Sequence, residues 1–287
     1  MNKNKKNQHV NLSGGRLIGI AEYGPSDGFP VFYFHGFPSS RLDWELIHDE
    51  PTVTDLGVRI IAPDRPGYGL SDFKRGRTML SWAEDVVDIA TELKIDRFAV
   101  LGVSGGGPYA AACAYGIRDR LSRTGIVCGM GPRDAPGMTE GASWTLPGTQ
   151  SIVRRVVLYL TSMGLQRDPA RFLEQSMEAF AEPDRKILEQ PNLGNIFING
   201  MREAFRTGIG GANLEAGLYT RPWGFALQDI STEVYLWHGE QDLNVPVSVG
   251  RYVAEAIPNS TAKFYPDDGH LTLPRSRLKE ILSALIA

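Results

Sequence analysis

Cysteine is scarce in this chain: there are two in 287 residues, Cys113 and Cys128. Two thiols in apolar segments make no disulfide framework, and both read as free, buried cysteines. An excess of charge is missing as well, with 30 Lys plus Arg against 33 Asp plus Glu. There is no basic field to attract nucleic acid, which is therefore not an expected partner. Long apolar runs are absent too. The best candidate, residues 152–165, is interrupted by Arg154 and Arg155 and falls short of the roughly 18 residues of a membrane span. Stable membrane insertion is thus not expected. Residues 1–10 are basic but lead into no apolar stretch, so they read as a flexible polar tail rather than a secretory leader, and the expected location is cytoplasmic. What the chain does have is 42% hydrophobic residues, enough at this length to bury about three quarters of the unfolded surface.

Those apolar residues are organised. Val31–Phe34, Val58–Ala62, Phe98–Val103 and Gly125–Cys128 are near-continuous apolar runs, which suits strands covered on both faces. Between them the spacing predicts helices over Leu42–Leu56 and Thr78–Leu93. In the second, Leu80, Ala83, Val86, Val87, Ala90 and Leu93 recur every three or four residues. This alternation implies an α/β fold with a mostly parallel central sheet flanked by helices. Leu17–Ala21 reads as an antiparallel leading strand. Strand signals stop near Gly129 and return at Val234–Trp237 and Ala262–Tyr265, with helices over Val247–Ile257 and Leu278–Ile286. The expected organisation is a core of residues 1–132 and 223–287 with a helical insertion of residues 133–222.

Gly102-Val103-Ser104-Gly105-Gly106 ends one apolar strand and opens the Ala-rich helical run Pro108–Tyr115. A serine between small residues on a sharp strand-to-helix turn projects its oxygen, as a nucleophile requires. The following helix directs its positive end at a developing anion. Such a serine needs a base, and there are five histidines. His270, in a loop directly after the last expected strand, is the first candidate. His238 ends a strand and is its competitor, while His9 and His48 read as solvated. The base needs an orienting carboxylate. Asp242 follows the preceding strand in the chain order serine, acid, histidine; Asp134 is the alternative. Oxyanion donors are expected from the N–H groups of Gly105 and of Phe37, in the loop His35-Gly36-Phe37-Pro38. His35 itself reads chiefly as a structural hydrogen-bonder at the edge of the pocket. Neither His35 nor His238 has metal-ligand spacing, and no nucleotide-binding loop is visible. No metal or cofactor is expected.

Taken in order, His35-Gly-Phe-Pro38, Asp64-Arg-Pro-Gly-Tyr-Gly-Leu-Ser71, Gly102-Val-Ser-Gly-Gly106 and the pair Asp242 and His270 resemble the α/β-hydrolase superfamily. The resemblance covers the core, about two thirds of the chain, and the insertion resembles that family's variable cap. The second motif is similar to one in the epoxide-hydrolase and haloalkane-dehalogenase branch. Both of those use an aspartate nucleophile, where this chain has Ser104. Dehalogenases also place a tryptophan where Gly105 stands, so the resemblance implies neither activity.

The insertion is rich in aromatic residues and methionine. Trp144, Phe197, Met201, Phe205 and Trp223, together with His35, are its candidate pocket residues. The expected function is hydrolysis of carboxylic esters of small to medium apolar substrates through Ser104, His270, Asp242 and an acyl-enzyme. The same residues also suit lactone, C–C or peptide-end cleavage, and a ligand receptor with little turnover is the reading from another class. The expected partner is a small-molecule ester-like substrate, and a homodimer is compatible with the chain.

Overall fold

The computed structural model describes residues 6–138 and 150–287. Its strands are β1 (Gln8–Asn11), β2 (Leu17–Tyr23), β3 (Phe29–Phe34), β4 (Val58–Pro63), β5 (Phe98–Val103), β6 (Leu121–Val127), β7 (Val234–Gly239) and β8 (Ser260–Tyr265). They form one sheet in the order β1-β2-β4-β3-β5-β6-β7-β8. β2 runs antiparallel to both of its neighbours, and β4 through β8 and β3 are parallel to one another. The chain proceeds from β3 outward to β4, then returns to place β5 on the other side of β3. The loops after β3 and β5 therefore diverge at the carboxyl edge, the crevice where open α/β sheets bind ligands.

The central strands are buried on both faces, which explains their unbroken apolar composition. In β5, Phe98 and Val100 belong to one core cluster while Ala99, Leu101 and Val103 belong to the other, as the two-residue strand period requires. The first cluster is closed by α3 (Leu80–Glu92), α4 (Gly107–Gly116) and α10 (Val247–Ala256), through Trp82, Val86, Tyr109, Cys113, Val249 and Val253. The second is closed by α1 (Trp44–Ile47), α2 (Glu50–Asp55) and α12 (Leu278–Ile286), through Trp44, Val53, Ile281, Leu282 and Leu285. Between β6 and β7 lie α5 (Gln150–Arg167), α6 (Pro169–Met177), α7 (Glu182–Leu188), α8 (Pro191–Ala204) and α9 (Gly210–Tyr219); α11 (Thr272–Ser276) follows β8. Cys113 and Cys128 are free and buried.

Two local expectations are corrected. Residues 8–10, expected within a flexible tail, belong to β1, which pairs with β2 in the register His9 to Gly19 and Val10 to Ile18. Val10 is buried there, and one buried side chain and a ladder of backbone hydrogen bonds suffice to order an otherwise polar segment. The single helix expected over residues 42–56 is two. α2 starts afresh at Asp49, whose side chain accepts the Thr52 N–H at 3.1 Å, with Pro51 in its first turn. Proline belongs in a first turn because it has no N–H to give the preceding turn.

Leu282 is fully buried between α12 and the sheet, whereas Leu243 is 63% exposed. In urea denaturation Leu282→Ala is expected to cost about 2–5 kcal/mol through lost burial and a cavity. Leu243→Ala is expected to stay within about 0.5 kcal/mol of wild type.

Candidate active site

The turn after β5 carries Ser104 at a φ of +54°, a left-handed conformation that is uncommon for a residue with a side chain. Close backbone approach on either side makes the flanking glycines necessary. A Cβ on Gly102 would fall on the Gly106 carbonyl, and one on Gly106 would fall on the Phe34 carbonyl at the end of β3. The Met130 N–H donates to the Ser104 carbonyl oxygen at 3.0 Å and pins the turn to the segment after β6. Ser104 thereby faces a cavity of about 370 Å³, lined also by Phe37, His270, Phe180, Phe197, Met201, Met130, Met138 and Leu158.

His270 is presented by the loop after β8. Its Nδ1 lies 2.7 Å from Asp242 Oδ2, and both residues are buried. The other carboxylate oxygen of Asp242 accepts the N–H groups of Asn244 and Val245, each at 2.8 Å, which fixes the carboxylate plane. Burial pushes the Asp242 carboxyl up, but His270, His238 and the Val245 N–H outweigh it and hold it below the usual carboxylate range. Burial likewise disfavours a charged His270; Asp242 outweighs that and, with Asp184 and Asp43, raises the imidazole above its ordinary value. Asp134, the alternative acid, is exposed and 3.4 Å from the Tyr252 hydroxyl. The structure therefore brings Asp242, not Asp134, to His270.

On the facing side, Phe37 and Gly105 come together. A Cβ built on Gly105 would lie 2.7 Å from Phe37 Cβ and 3.2 Å from Phe37 N. The loop that carries Phe37 is clamped from two directions. Asp43 accepts the Gly36 N–H at 2.9 Å, the Tyr33 hydroxyl at 2.8 Å and the Ser39 hydroxyl at 2.8 Å. Arg65, the second residue of the Asp64–Ser71 motif, donates to the carbonyls of His35 and Gly36.

Arg65 is fully buried and paired with Glu215 of α9 at 2.7 Å; Arg77 reaches the second Glu215 oxygen, also at 2.7 Å. Burial pushes Glu215 up, but the two guanidinium groups outweigh it and hold the carboxyl down to about 2. One turn later, the Tyr219 hydroxyl sits between Glu215 and the Gly105 carbonyl oxygen, 2.8 Å from the latter. Helix α9 thus touches the Gly105–Gly106 peptide directly. Glu215 and Tyr219 escaped sequence reasoning because nothing local marks a partner 150 residues away.

The candidate pocket residues divide. Phe197 and Met201 line the cavity. Phe205 does not; it packs with Tyr68, Leu165 and Ala212 inside the helical layer. Trp223 packs in the main core and borders a separate surface groove near Arg133 and Arg221. His35 is fully buried, with Nδ1 2.9 Å from the Gly36 carbonyl oxygen and Nε2 accepting the Arg65 N–H at 3.3 Å, so it shapes the loop instead of lining the cavity. These three sit where three-dimensional packing, not hydrophobicity, decides which side of a helix or loop meets the cavity. Trp144 lies outside the described residues. Cys128, His238 and Asp242 bring ligand-type atoms within 4.8 Å of one another. Asp242 is bonded to His270 and two N–H groups, and His238 Nε2 lies 2.8 Å from the Val245 carbonyl oxygen.

A comparison with known protein families matches residues 30–274 to the alpha/beta hydrolase fold. The chain belongs to that family. Over 283 residues this alpha/beta hydrolase is 27% identical to a bifunctional esterase/perhydrolase from Acinetobacter calcoaceticus, covering 97% of this chain and 98% of that one. It is 34% identical to a non-heme chloroperoxidase from Streptomyces lividans over 125 residues, a match that spans 43% of this chain and 45% of the relative. Among solved structures it shares its fold with an esterase from Thermogutta terrifontis, at a TM-score of 0.71 and 22% identity over 97% of this chain and 98% of that one. No helix among the described residues is long and apolar enough to cross a membrane.

Because Glu215 is held far below its unfolded value near 4.5, it stabilises the folded hydrolase fully above that value, and the contribution is lost as pH falls toward about 2. Glu215→Ala, which strands two buried guanidinium groups, is expected to lose about 3–5 kcal/mol at neutral pH. Urea denaturation at pH 7 and pH 3 checks this, with the gap between variant and wild type narrowing at the lower pH.

Proposed function

We propose that this alpha/beta hydrolase is a serine hydrolase cleaving carboxylic esters of small to medium apolar substrates. The observation that carries the reading is the convergence on one apolar cavity of Ser104, on its left-handed turn, and His270, backed by Asp242 at 2.7 Å. The esterase named among the full-length relatives supports it.

In this reading His270 Nε2 takes the Ser104 hydroxyl proton as Oγ bonds to the ester carbonyl carbon. The electron pair moves to the carbonyl oxygen, which the N–H groups of Phe37 and Gly105 receive. Asp242 holds the imidazole tautomer and steadies its positive charge. Collapse breaks the C–O bond, and the alkoxide leaves as alcohol with the proton from His270. Water, deprotonated by the same imidazole, then releases the acid and restores Ser104. Phe180, Phe197, Met201 and Leu158 offer the acyl chain an apolar wall, with helices α5–α9 acting as a cap over residues 1–132 and 223–287 of the core.

Hydrolysis of p-nitrophenyl esters from acetate to octanoate tests this. Wild type is expected to turn over repeatedly with a chain-length optimum, and Ser104→Ala to lose essentially all activity. Labelling of Ser104 by a fluorophosphonate without ester turnover would move the reading to lactone, C–C or peptide-end cleavage, or to a receptor. Because the base must be neutral to accept a proton, activity is expected to fall with decreasing pH through the His270 pKa, which Asp242 raises above the ordinary histidine value against the effect of burial. A flat kcat/KM profile across pH 5–8 would contradict His270 as the base.

A further inference from the structure

Asp184, in the first turn of α7, is fully buried, and among the described residues no cation pairs with it. It is satisfied by the backbone of the loop that presents His270. Its Oδ2 accepts the His270 N–H at 2.8 Å; its Oδ1 accepts the N–H groups of Leu271 and Thr272, each at 2.9 Å, and the Thr272 hydroxyl at 3.0 Å. The loop closes around this carboxylate so tightly that a Cβ on Gly269 would run into it. Each oxygen accepts short bonds from donors that a loop would otherwise turn to water, and charge-assisted bonds of this kind are about twice as strong as neutral ones. The carboxylate belongs to the helical layer, whereas the loop belongs to the core.

We propose that Asp184 is a positioning residue for His270: a cap carboxylate that sets the place of the base by gripping its backbone, so that docking of the cap and competence of the base are one event. This rests on the reading of His270 as the base. His270 is faced by Asp242 from the loop after β7, His238 from β7 itself, Asp43 from the turn before α1, and Asp184 from α7. Arg275, on α11, is directed away to the Leu46 carbonyl oxygen. Asp184 therefore acts in two ways: its geometry fixes the imidazole against Asp242, and its charge favours the protonated ring.

Asp184→Asn keeps the size of the side chain, removes the charge and sets an amide group against backbone donors. With folding verified by thermal denaturation, it is expected to lower kcat by up to about 100-fold, the scale of an ångström-sized misplacement, with KM within about two-fold. Fluorophosphonate labelling of Ser104 slows in parallel. The acidic limb of activity and the His270 ring titration followed by NMR both move to lower pH. A folded Asp184→Asn protein with wild-type labelling and wild-type His270 titration overturns the proposal. Asp184→Glu keeps the charge and displaces the oxygens by one methylene, so it carries the geometric half of the test if the asparagine variant does not fold. Slower labelling with a near wild-type titration is expected, and wild-type labelling overturns it. The ring titration needs no turnover, so a wild-type protein inactive on every ester would count against the proposed function and leave this test standing.

Discussion

The left-handed turn at Ser104 is the constraint on which the site depends. A residue with a side chain held in that region costs on the order of 1–3 kcal/mol, and it persists only where the surroundings over-determine it. Here they do. Parallel ladders fix β5 between β3 and β6, the Met130 N–H holds the Ser104 carbonyl oxygen, and the peptides at Gly102 and Gly106 press against backbone that no side chain would allow. Relaxing the turn would require the strands beneath it to separate. The sheet and its two apolar layers thus serve chemistry by making one strained torsion affordable.

The elements above the sheet hold what the sheet presents. Two buried carboxylates of the helical layer reach the core at two different places. Glu215 binds Arg65, which donates to the His35-Gly36 loop, and Tyr219 adds a contact to the Gly105 carbonyl oxygen. Asp184 takes the backbone N–H groups of residues 270–272. One carboxylate is compensated by guanidinium charge and the other by amide dipoles, and the difference follows from the partners. The loop after β3 presents carbonyl oxygens, which attract an arginine and through it an acid. The loop after β8 presents N–H groups, which attract an acid directly.

This arrangement gives the Asp64–Ser71 motif a physical meaning. Asp64 accepts the Arg41 and Leu70 N–H groups and pairs with the Arg41 guanidinium, closing its own turn. Arg65, thereby fixed, spans from the helical layer to the loop that carries Phe37. At Gly211 a Cβ would meet the Gly67 carbonyl, so α9 packs directly on that turn. The glycine-rich stretch of residues 208–211 includes this close contact.

The parallel sheet, its flanking helices, the turn at Ser104 and the candidate pair His270 and Asp242 were legible in the amino-acid sequence because each rests on a local pattern. Apolar runs of strand length, helical spacing and small residues around a serine are all visible within about a dozen positions. Segment 8–11 and the break at Asp49 were less legible: a lone buried Val10 and a proline in a first turn are weak marks beside the polar residues around them. Tertiary structure alone decided which side chains of the helical layer meet the cavity. Phe197 and Met201 face it, Phe205 does not, and all three carry similar apolar surface on neighbouring turns of one segment. It alone decided that Glu215 and Asp184, two acids among 33, are buried against the site. Burial of a charge depends on partners brought from 86 to 150 residues away, and no local pattern records the docking of one layer on another.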